Sequence, residues 1–323
     1  MTFFKTAASL AASLGLATLL GAGSAQAQID GNQPGNQPGA QTIVTVLPKS
    51  GDVAATVPES ALQVKVDGKT VQPLAWHPYG QGEVQLVMLI DNSARTSFGR
   101  NLEDLANFVN GLPPNVAIGI AYMQNGASVF AGPLSKDHAA VAKTLHLPGG
   151  SPGSNASPYF CLQDLAKRWP APPSAARREV LMITDGVDEY NLRYDPEDPY
   201  VRAALDDSTR AGLVIYSIYY RDQGRLSRSF YETNAGQNYL TQVADTTGGN
   251  LYYEGLGNPV SFTPFLSDLT RRLENQYELA VPVKEEKKIS YAELKVKADI
   301  GSVKLRAPSR VLVGAQGSAP PQP

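Results

Sequence analysis

The chain has 323 residues, of which 42% are hydrophobic and 18% are charged, and its formal net charge is −2. This composition is typical of a globular protein and too apolar for a disordered chain. The nearly balanced charge argues against nucleic acid as a partner, because phosphate binding needs a basic face. A single cysteine, Cys161, excludes an internal disulfide and a thiolate metal cage, and the three scattered histidines lack metal-ligand spacing.

The first 27 residues have the features of an export signal. Lys5 supplies a positive charge, a run rich in alanine and leucine follows, and Ala25, Gln26 and Ala27 form the small-x-small pattern of a signal peptidase site. The apolar run is shorter than the roughly 20 residues of a membrane anchor. The sequence therefore predicts an exported protein, periplasmic or extracellular, with no membrane span after cleavage.

The next part of the chain is predicted to be a flexible leader followed by a β segment. The leader, residues 28–41, repeats the letters GNQP, and the β segment covers residues 42–80. Within the segment, residues 42–47 predict a strand and residues 62–74 predict a hairpin. The hairpin turn is Asp67-Gly68, a pair that tolerates the positive φ angles of a type I′ turn.

An almost unbroken apolar run at residues 84–90 stops at Asp91, and short polar side chains follow it. Such a run predicts a strand that is buried on both faces, as in a parallel sheet. Parallel sheets of this kind bind ligands in the loops beyond the carboxyl ends of their strands. We therefore expect any functional site to begin at Asp91.

Helix and strand patterns alternate after this strand. Helices are predicted over residues 101–112, 135–145, 158–169, 200–211, 235–245 and 265–275, and strands over residues 116–123, 128–131, 178–183, 213–220 and 250–253. This alternation predicts an α/β domain at residues 81–276, with a Rossmann-like, doubly wound and mainly parallel sheet. Residues 277–313 show strand patterns alone, and residues 314–323 are predicted to be a disordered tail. Neither terminal β segment has enough strands to bury a core, so we expect the two to pair.

Carboxylates and hydroxyls stand where predicted strands end or helices begin, at Asp91, Ser93, Ser157 and Asp185. Hard oxygen ligands of this kind suit Mg²⁺ or Ca²⁺. Each loop also has a structural interpretation, in which Asp91 and Ser157 cap their segments and Asp185-Gly186 is a turn. Three such loops in this order favour a site.

The letters IDNSAR at residues 90–95, with ITDG at residues 183–186, resemble a von Willebrand factor type A domain. The leader, the strand–DG–strand unit and the stretch NQYELAVPV resemble the bacterial secreted proteins related to that domain, over about residues 42–313. The resemblance implies a metal-ion-dependent adhesion site, with ligands on three loops: Asp91, Ser93, Ser157 and Asp185. It also implies a binding domain, where a carboxylate of a partner protein fills the open position of the metal.

Arg95 departs from that pattern, which has a second serine at this position. A guanidinium has five donors and no acceptor, so it is not a metal ligand. Unit charges about 4 Å apart at an effective dielectric of about 20 interact by about 4 kcal/mol, and a divalent ion would feel about twice that repulsion. The sequence thus predicts a degenerate site, unless Arg95 turns outward or Thr96 takes over the ligand position.

The function predicted from these features is a non-enzymatic, adhesion-type protein-binding module, whose partner the sequence does not identify. The alternative is a structural envelope scaffold with a vestigial site. A third interpretation is a serine hydrolase, because Ser151 is the centre of a G-x-S-x-G match. Pro152 argues against it, since the residue after the nucleophile must donate an N–H. The acids that follow Asp185 are predicted to be a solvated loop, and Cys161 is predicted to be a buried apolar residue.

The export signal gives a direct prediction. The mature protein should begin at Gln28, because cleavage follows the small-x-small pattern that ends at Ala27. N-terminal sequencing of the protein from its native source checks this. A retained Met1 in the membrane fraction would contradict it.

Overall fold

The structure is a computed structural model that describes residues 39–50, 56–94, 96–149, 155–172, 174–221, 229–255, 257–284, 286 and 288–314, without the side chains of Ser93 and Thr96. The predicted signal segment, most of the leader and most of the tail lie outside the described residues. So do Arg95 and Ser151.

The secondary structure alternates as predicted in the middle of the chain and is all β at both ends. The strands are β1 (Gly39–Pro48), β2 (Leu62–Val66), β3 (Lys69–Val71), β4 (Ala75–Pro78), β5 (Val84–Asp91), β6 (Val116–Gln124), β7 (Ala127–Phe130), β8 (Arg177–Thr184), β9 (Leu213–Tyr219), β10 (Leu251–Tyr252), β11 (Gln276–Pro282), β12 (Ser290–Ala298), β13 (Val303–Arg306) and β14 (Arg310–Val313). The helices are α1 (Leu102–Asn110), α2 (His138–Ala142), α3 (Pro158–Lys167), α4 (Pro199–Arg210), α5 (Phe230–Thr247) and α6 (Thr263–Glu274).

The central sheet has the strand order β10-β9-β8-β5-β6-β7. Strand β5 lies between β6 and β8 and pairs with both in parallel, while β7 is antiparallel to β6. Counted from β5, this is the order 3-2-1-4-5-6 of the doubly wound fold. The predicted fold class is therefore confirmed, and the long apolar run of β5 is explained by its position in the middle of the sheet.

The two faces of this sheet carry different helices. Side chains of α1, α2 and α6, such as Leu105, Val141 and Leu269, pack on one face. Side chains of α3, α4 and α5, such as Leu165 and Leu205, pack on the other face. With helices on both faces, the loops at the carboxyl ends of the strands remain as the open edge.

The terminal β segments form two four-stranded sheets, ordered β13-β1-β11-β4 and β14-β12-β2-β3. The expected pairing of the segments is confirmed, because β1 is antiparallel to β11 and β2 is antiparallel to β12. Inward-facing side chains of both sheets, including Val44, Val64, Leu279 and Leu294, share one buried cluster. The two ends of the chain thus build one β-sandwich.

Some predicted boundaries were wrong. Strand β1 begins at Gly39, so residues 39–41 belong to a sheet and not to the leader, and strand β4 was not predicted. Helix α2 begins at His138 after the cap Asp137, and not at Ser135. The predicted type I′ turn is present, with φ of 48° at Asp67 and 75° at Gly68.

Arginines of the sandwich tie it to helices of the central layer. The Arg306 guanidinium lies 2.6 Å from the Asp245 carboxylate on α5, and that of Arg310 lies 2.7 Å from Asp206 on α4. The Tyr291 hydroxyl also donates to the Asp206 carbonyl oxygen at 3.0 Å. These contacts attach the sandwich to α4 and α5. Among the described helices, none is long and apolar enough to cross a membrane.

Candidate functional site

Three of the four predicted site residues lie around one cavity at the carboxyl edge of the central sheet. Asp91 ends β5, Ser157 precedes α3, Asp185 follows β8, and all three line the same space of about 30 Å³. This volume is about that of one water molecule in the liquid. Ser93 lies in the 3₁₀ turn Asn92–Ala94 directly after β5, but its side chain is not described.

A chain of hydrogen bonds joins the first loop to the third. The Thr184 hydroxyl donates to Asp91 Oδ2 at 2.6 Å and accepts from the Gly186 N–H at 3.1 Å. A hydrogen bond to an ionised carboxylate is among the stronger kinds in proteins. The ends of β5 and β8 are therefore held together by groups of the protein itself. Thr184 was not predicted as a site residue, because threonine is common in strands and its presence there indicates no function.

The first loop is anchored on its far side by an aromatic cluster. The Phe98 ring packs against the rings of Tyr220 and Phe262, with centroids 5.4 and 6.0 Å away. The Tyr220 hydroxyl donates to Ser97 Oγ at 2.9 Å. Because Phe98 and Phe262 are fully buried, the backbone that follows Arg95 has a fixed end point.

Ser157 caps helix α3, as the structural interpretation predicted. Its hydroxyl accepts the Phe160 N–H at 3.4 Å, and Pro158 occupies the first turn. Ser157 also faces Asp188. Burial raises the pKa of Asp188, and hydrogen bonds from the N–H groups of Tyr190 and Asn191 and from Ser157 oppose that rise. The hydroxyl of Ser157 thus serves two contacts within the protein.

Asp185 is held by a close approach of helix α5. Its Oδ1 accepts the Val187 N–H at 2.9 Å. Gly186 has a φ of 68°, and a Cβ there would lie 2.6 Å from Leu240 Cγ and 2.7 Å from the Gly236 carbonyl oxygen. A Cβ on Gly236 would lie 2.2 Å from the Asp185 carbonyl oxygen. Both positions therefore require glycine, and the third loop has little freedom to move.

The acidic loop after Asp185 differs from the predicted solvated loop. Asp188 and Asp198 are buried, whereas Asp195 and Glu197 are exposed. The buried acids have local partners: Asp198 caps α4 by accepting from the N–H groups at the start of the helix, and it also accepts from Asn191 Nδ2 at 2.6 Å. Glu189 of this loop lines the cavity. The missed signal is the pair Asp198-Pro199, which is typical of a helix start.

An exposed aromatic cluster stands beside the cavity. The rings of Phe160, Tyr190 and Tyr200 have centroids 5.0 to 5.3 Å apart. Tyr190 is 47% exposed and Tyr200 is 40% exposed. Phe160 and Tyr190 also line an open depression of about 370 Å³, which shares the Asn125-Gly126 turn with the cavity. The cavity and the aromatic rings therefore form one continuous surface.

The donor set fits a divalent ion only in part. Asp91 and Asp185 offer carboxylates and Ser157 offers a hydroxyl, which are the ligand types of Mg²⁺ and Ca²⁺. Each of these side chains also makes a hydrogen bond within the protein. In the part of the chain that the structure describes, no three acidic, histidine or cysteine side chains form a metal-binding group. The two hydrogen bonds use Asp91 Oδ2 and Asp185 Oδ1, and each carboxylate keeps further acceptor sites.

Other candidate groups have structural contacts. The predicted burial of Cys161 is confirmed, and burial raises the pKa of its thiol to about 12. A thiol of this kind is inert near neutral pH. His77 lies 3.1 Å from Glu278, His138 lies 2.8 Å from the Val116 carbonyl oxygen, and the His146 ring packs against Tyr122 at a tilt. Ser151, the nucleophile of the hydrolase interpretation, lies outside the described residues.

Comparison with solved structures finds similar chains at low sequence identity. The chain is similar to an aerotolerance-related membrane protein from Bacteroides fragilis (15% identity, 59% of this chain and 98% of that chain, TM-score 0.41) and to BatB from Bacteroides thetaiotaomicron (12%, 59% and 97%, 0.40). It is also similar to the Rpn10 VWA domain (12%, 58% and 93%, 0.36). The central layer is von Willebrand A-like. All three TM-scores are below 0.5, so this assignment rests on the strand order and helix placement given above. No protein-family model matches the sequence, and no curated protein sequence matches it.

The hydrogen-bond chain through Thr184 predicts a stability effect. Thr184→Val keeps the shape of the side chain but removes the donor to Asp91 and the acceptor for Gly186. We expect a loss of about 1–3 kcal/mol in the free energy of unfolding, measured by urea denaturation. The matched control is Thr70→Val on the exposed face of β3, which should change stability by less than about 0.5 kcal/mol. Equal stability of the two variants would contradict the role of Thr184.

Proposed function

We propose that the chain is an exported, non-enzymatic protein-binding module of the adhesion type. It binds a partner protein at the carboxyl edge of the central sheet, over the cavity and the aromatic cluster. The proposal rests on one observation, that the cavity is continuous with the aromatic cluster. Phe160 and Tyr190 line a depression that shares the Asn125-Gly126 turn with the cavity. Ligands of doubly wound sheets bind at this edge.

The exposed rings support a protein partner. Tyrosine and phenylalanine are enriched in the centres of protein interfaces, where a few buried aromatic side chains supply most of the binding energy. Tyr190 and Tyr200 are held in place by their packing with Phe160, so little side-chain entropy is lost when a partner covers them. The fixed loop at Asp185 supports the same conclusion, since binding would not have to order it.

The metal site is, in this proposal, a degenerate one. Arg95 stands where the related domains have a serine ligand, and a cation there opposes a second cation. The contacts of Thr184 with Asp91 and of Val187 with Asp185 hold these two carboxylates by groups of the protein. The same contacts support the alternative function, a structural envelope scaffold with a vestigial site, because they keep the edge in place without a ligand.

Partner capture tests the binding function. The mature protein is immobilised and exposed to periplasmic and secreted fractions of its native source, with and without EDTA. We expect the wild type to retain a partner in both conditions, and the double variant Tyr190→Ala, Tyr200→Ala to lose it. The control is Ile289→Ala, which removes a side chain of similar exposure (53%) from the sandwich. Equal retention by the double variant would contradict this binding surface.

A metal titration tests the degenerate site separately. Wild-type protein should bind Mg²⁺, Mn²⁺ and Ca²⁺ weakly in calorimetry. Arg95→Ser removes the repulsion and restores an oxygen ligand, so affinity and the metal-dependent rise in melting temperature should both increase. Asp185→Ala in the Arg95→Ser background should abolish the gain. Tight wild-type binding that Arg95→Ser leaves unchanged would show that Arg95 does not weaken the site.

A further inference from the structure

The chain crosses between the sandwich and the central layer at two places, and both crossings meet one buried arginine. Arg177, the first residue of β8, is only 5% exposed. Its guanidinium lies 4.2 Å from the ring centroid of Tyr79, which joins β4 to β5. Its Nη1 donates to the Leu273 carbonyl oxygen at 3.0 Å and to Gln276 Oε1, where α6 leads into β11. Arg177 thus connects both crossing segments, at Tyr79 and at residues 273–276, to the central sheet.

A carboxylate two residues after Arg177 is fully buried. Glu179 lies on the same face of β8 and is 0% exposed. Neither of its carboxylate oxygens has a hydrogen bond of good geometry. Burial raises the pKa of Glu179 to about 7, although Arg177, Gln276 and Tyr216 each lower it. The desolvation of this carboxylate therefore outweighs the attraction of its neighbours.

The other groups around this pair do not change charge near neutral pH. Strand β9 contributes Tyr216, whose pKa burial raises well above the ordinary value, and the pKa of Tyr79 is raised by burial as well. Arg272 of α6 and Tyr252 of β10 face Tyr216, and the Thr45 side chain of β1 hydrogen-bonds to it. On β5 the residue paired with Glu179 is apolar Leu86, and on β9 it is Val214.

The remaining neighbours lie on the surface side of the junction. Glu278 of β11 faces Tyr79, and His77 of β4 pairs with Glu278 at 3.1 Å. The test of Glu179 therefore includes a variant that lacks the His77 imidazole.

We propose that protonation of Glu179 stabilises the junction between the sandwich and the central layer. Neither oxygen of the carboxylate has a hydrogen-bond partner in the described part of the chain, so a charge on Glu179 destabilises the buried junction that Arg177 spans. When Glu179 takes up a proton, that cost is removed. The junction is tight when Glu179 is neutral and looser when it is charged.

The sign of the stability effect follows from the raised pKa. Between the pKa of the unfolded chain and about 7, the folded protein binds more protons than the unfolded chain. The contribution of Glu179 to stability is therefore complete below the unfolded-state pKa, falls as the pH rises towards 7 and is absent above it. Wild-type protein should be less stable at pH 8 than at pH 5.5 on account of this one group.

Glu179→Gln in the full-length chain tests the effect of this protonation, because glutamine is neutral at every pH. Relative to the variant, the wild type should lose about 4 °C of melting temperature between pH 5.5 and pH 8. Amide exchange at residues 79–83 and 273–277, corrected for intrinsic rates, should be faster in the wild type at pH 8 only. The control His77→Gln should keep the wild-type difference.

A second measurement needs no variant. In ¹³C NMR of the wild type labelled at glutamate side-chain carboxyls, one resonance should titrate at about pH 7. The proposal is overturned if every glutamate titrates in its usual range, or if Glu179→Gln and wild type show the same pH dependence. It is also overturned if His77→Gln removes the difference in exchange at the crossings.

Discussion

A short hydrogen-bond chain, from the Gly186 N–H through the Thr184 hydroxyl to Asp91, holds the two central strands together where the candidate site begins. Strands β5 and β8 pair in parallel up to Ile90 and Ile183, and the Thr184 side chain joins the two strands one residue further along. The contact of Gly186 with Gly236 then brings α5 against the third loop. The position of the cavity depends on this sequence of contacts.

The β-sandwich constrains the same layer from the opposite edge. Because its two sheets take strands from both ends of the chain, the central layer is an insertion between β4 and β11, and its two ends are held close together. Arg177 links both crossings to β8, the strand that also ends at Thr184. One strand therefore connects the junction at its start to the candidate site at its end.

The sequence alone predicts those parts of the fold that local patterns specify. The apolar run of β5 requires burial on both faces, and Asp67-Gly68 has the φ angles that its turn type needs. Strand β4 was missed, because Trp76, His77 and Pro78 show no alternation, and their strand exists only through pairing with β11. Its stabilising contact, the stacking of Trp76 on Tyr277 at 4.4 Å, joins residues far apart in the chain.

The sequence predicts that Asp91, Ser157 and Asp185 lie at one edge of the sheet, but it does not predict their contacts. Asp91, Ser157 and Asp185 do surround one cavity, since chain order places them at the same edge of a parallel sheet. The hydrogen bond from Thr184 and the buried Arg177–Glu179 pair could not be predicted, because their partners come from distant segments. The sequence around a polar residue inside a strand does not show which distant group will form its hydrogen bonds.

We propose that groups of the protein, and not a bound ion, hold the carboxyl edge together. Crystal structures of the full chain in EDTA and in excess Mg²⁺ test it most directly. We expect Thr184 Oγ1 to stay within hydrogen-bond distance of Asp91 Oδ2 in both structures, near the 2.6 Å seen here. An ion coordinated directly by Asp91 and Ser157, with the Thr184 hydroxyl turned away, would contradict it.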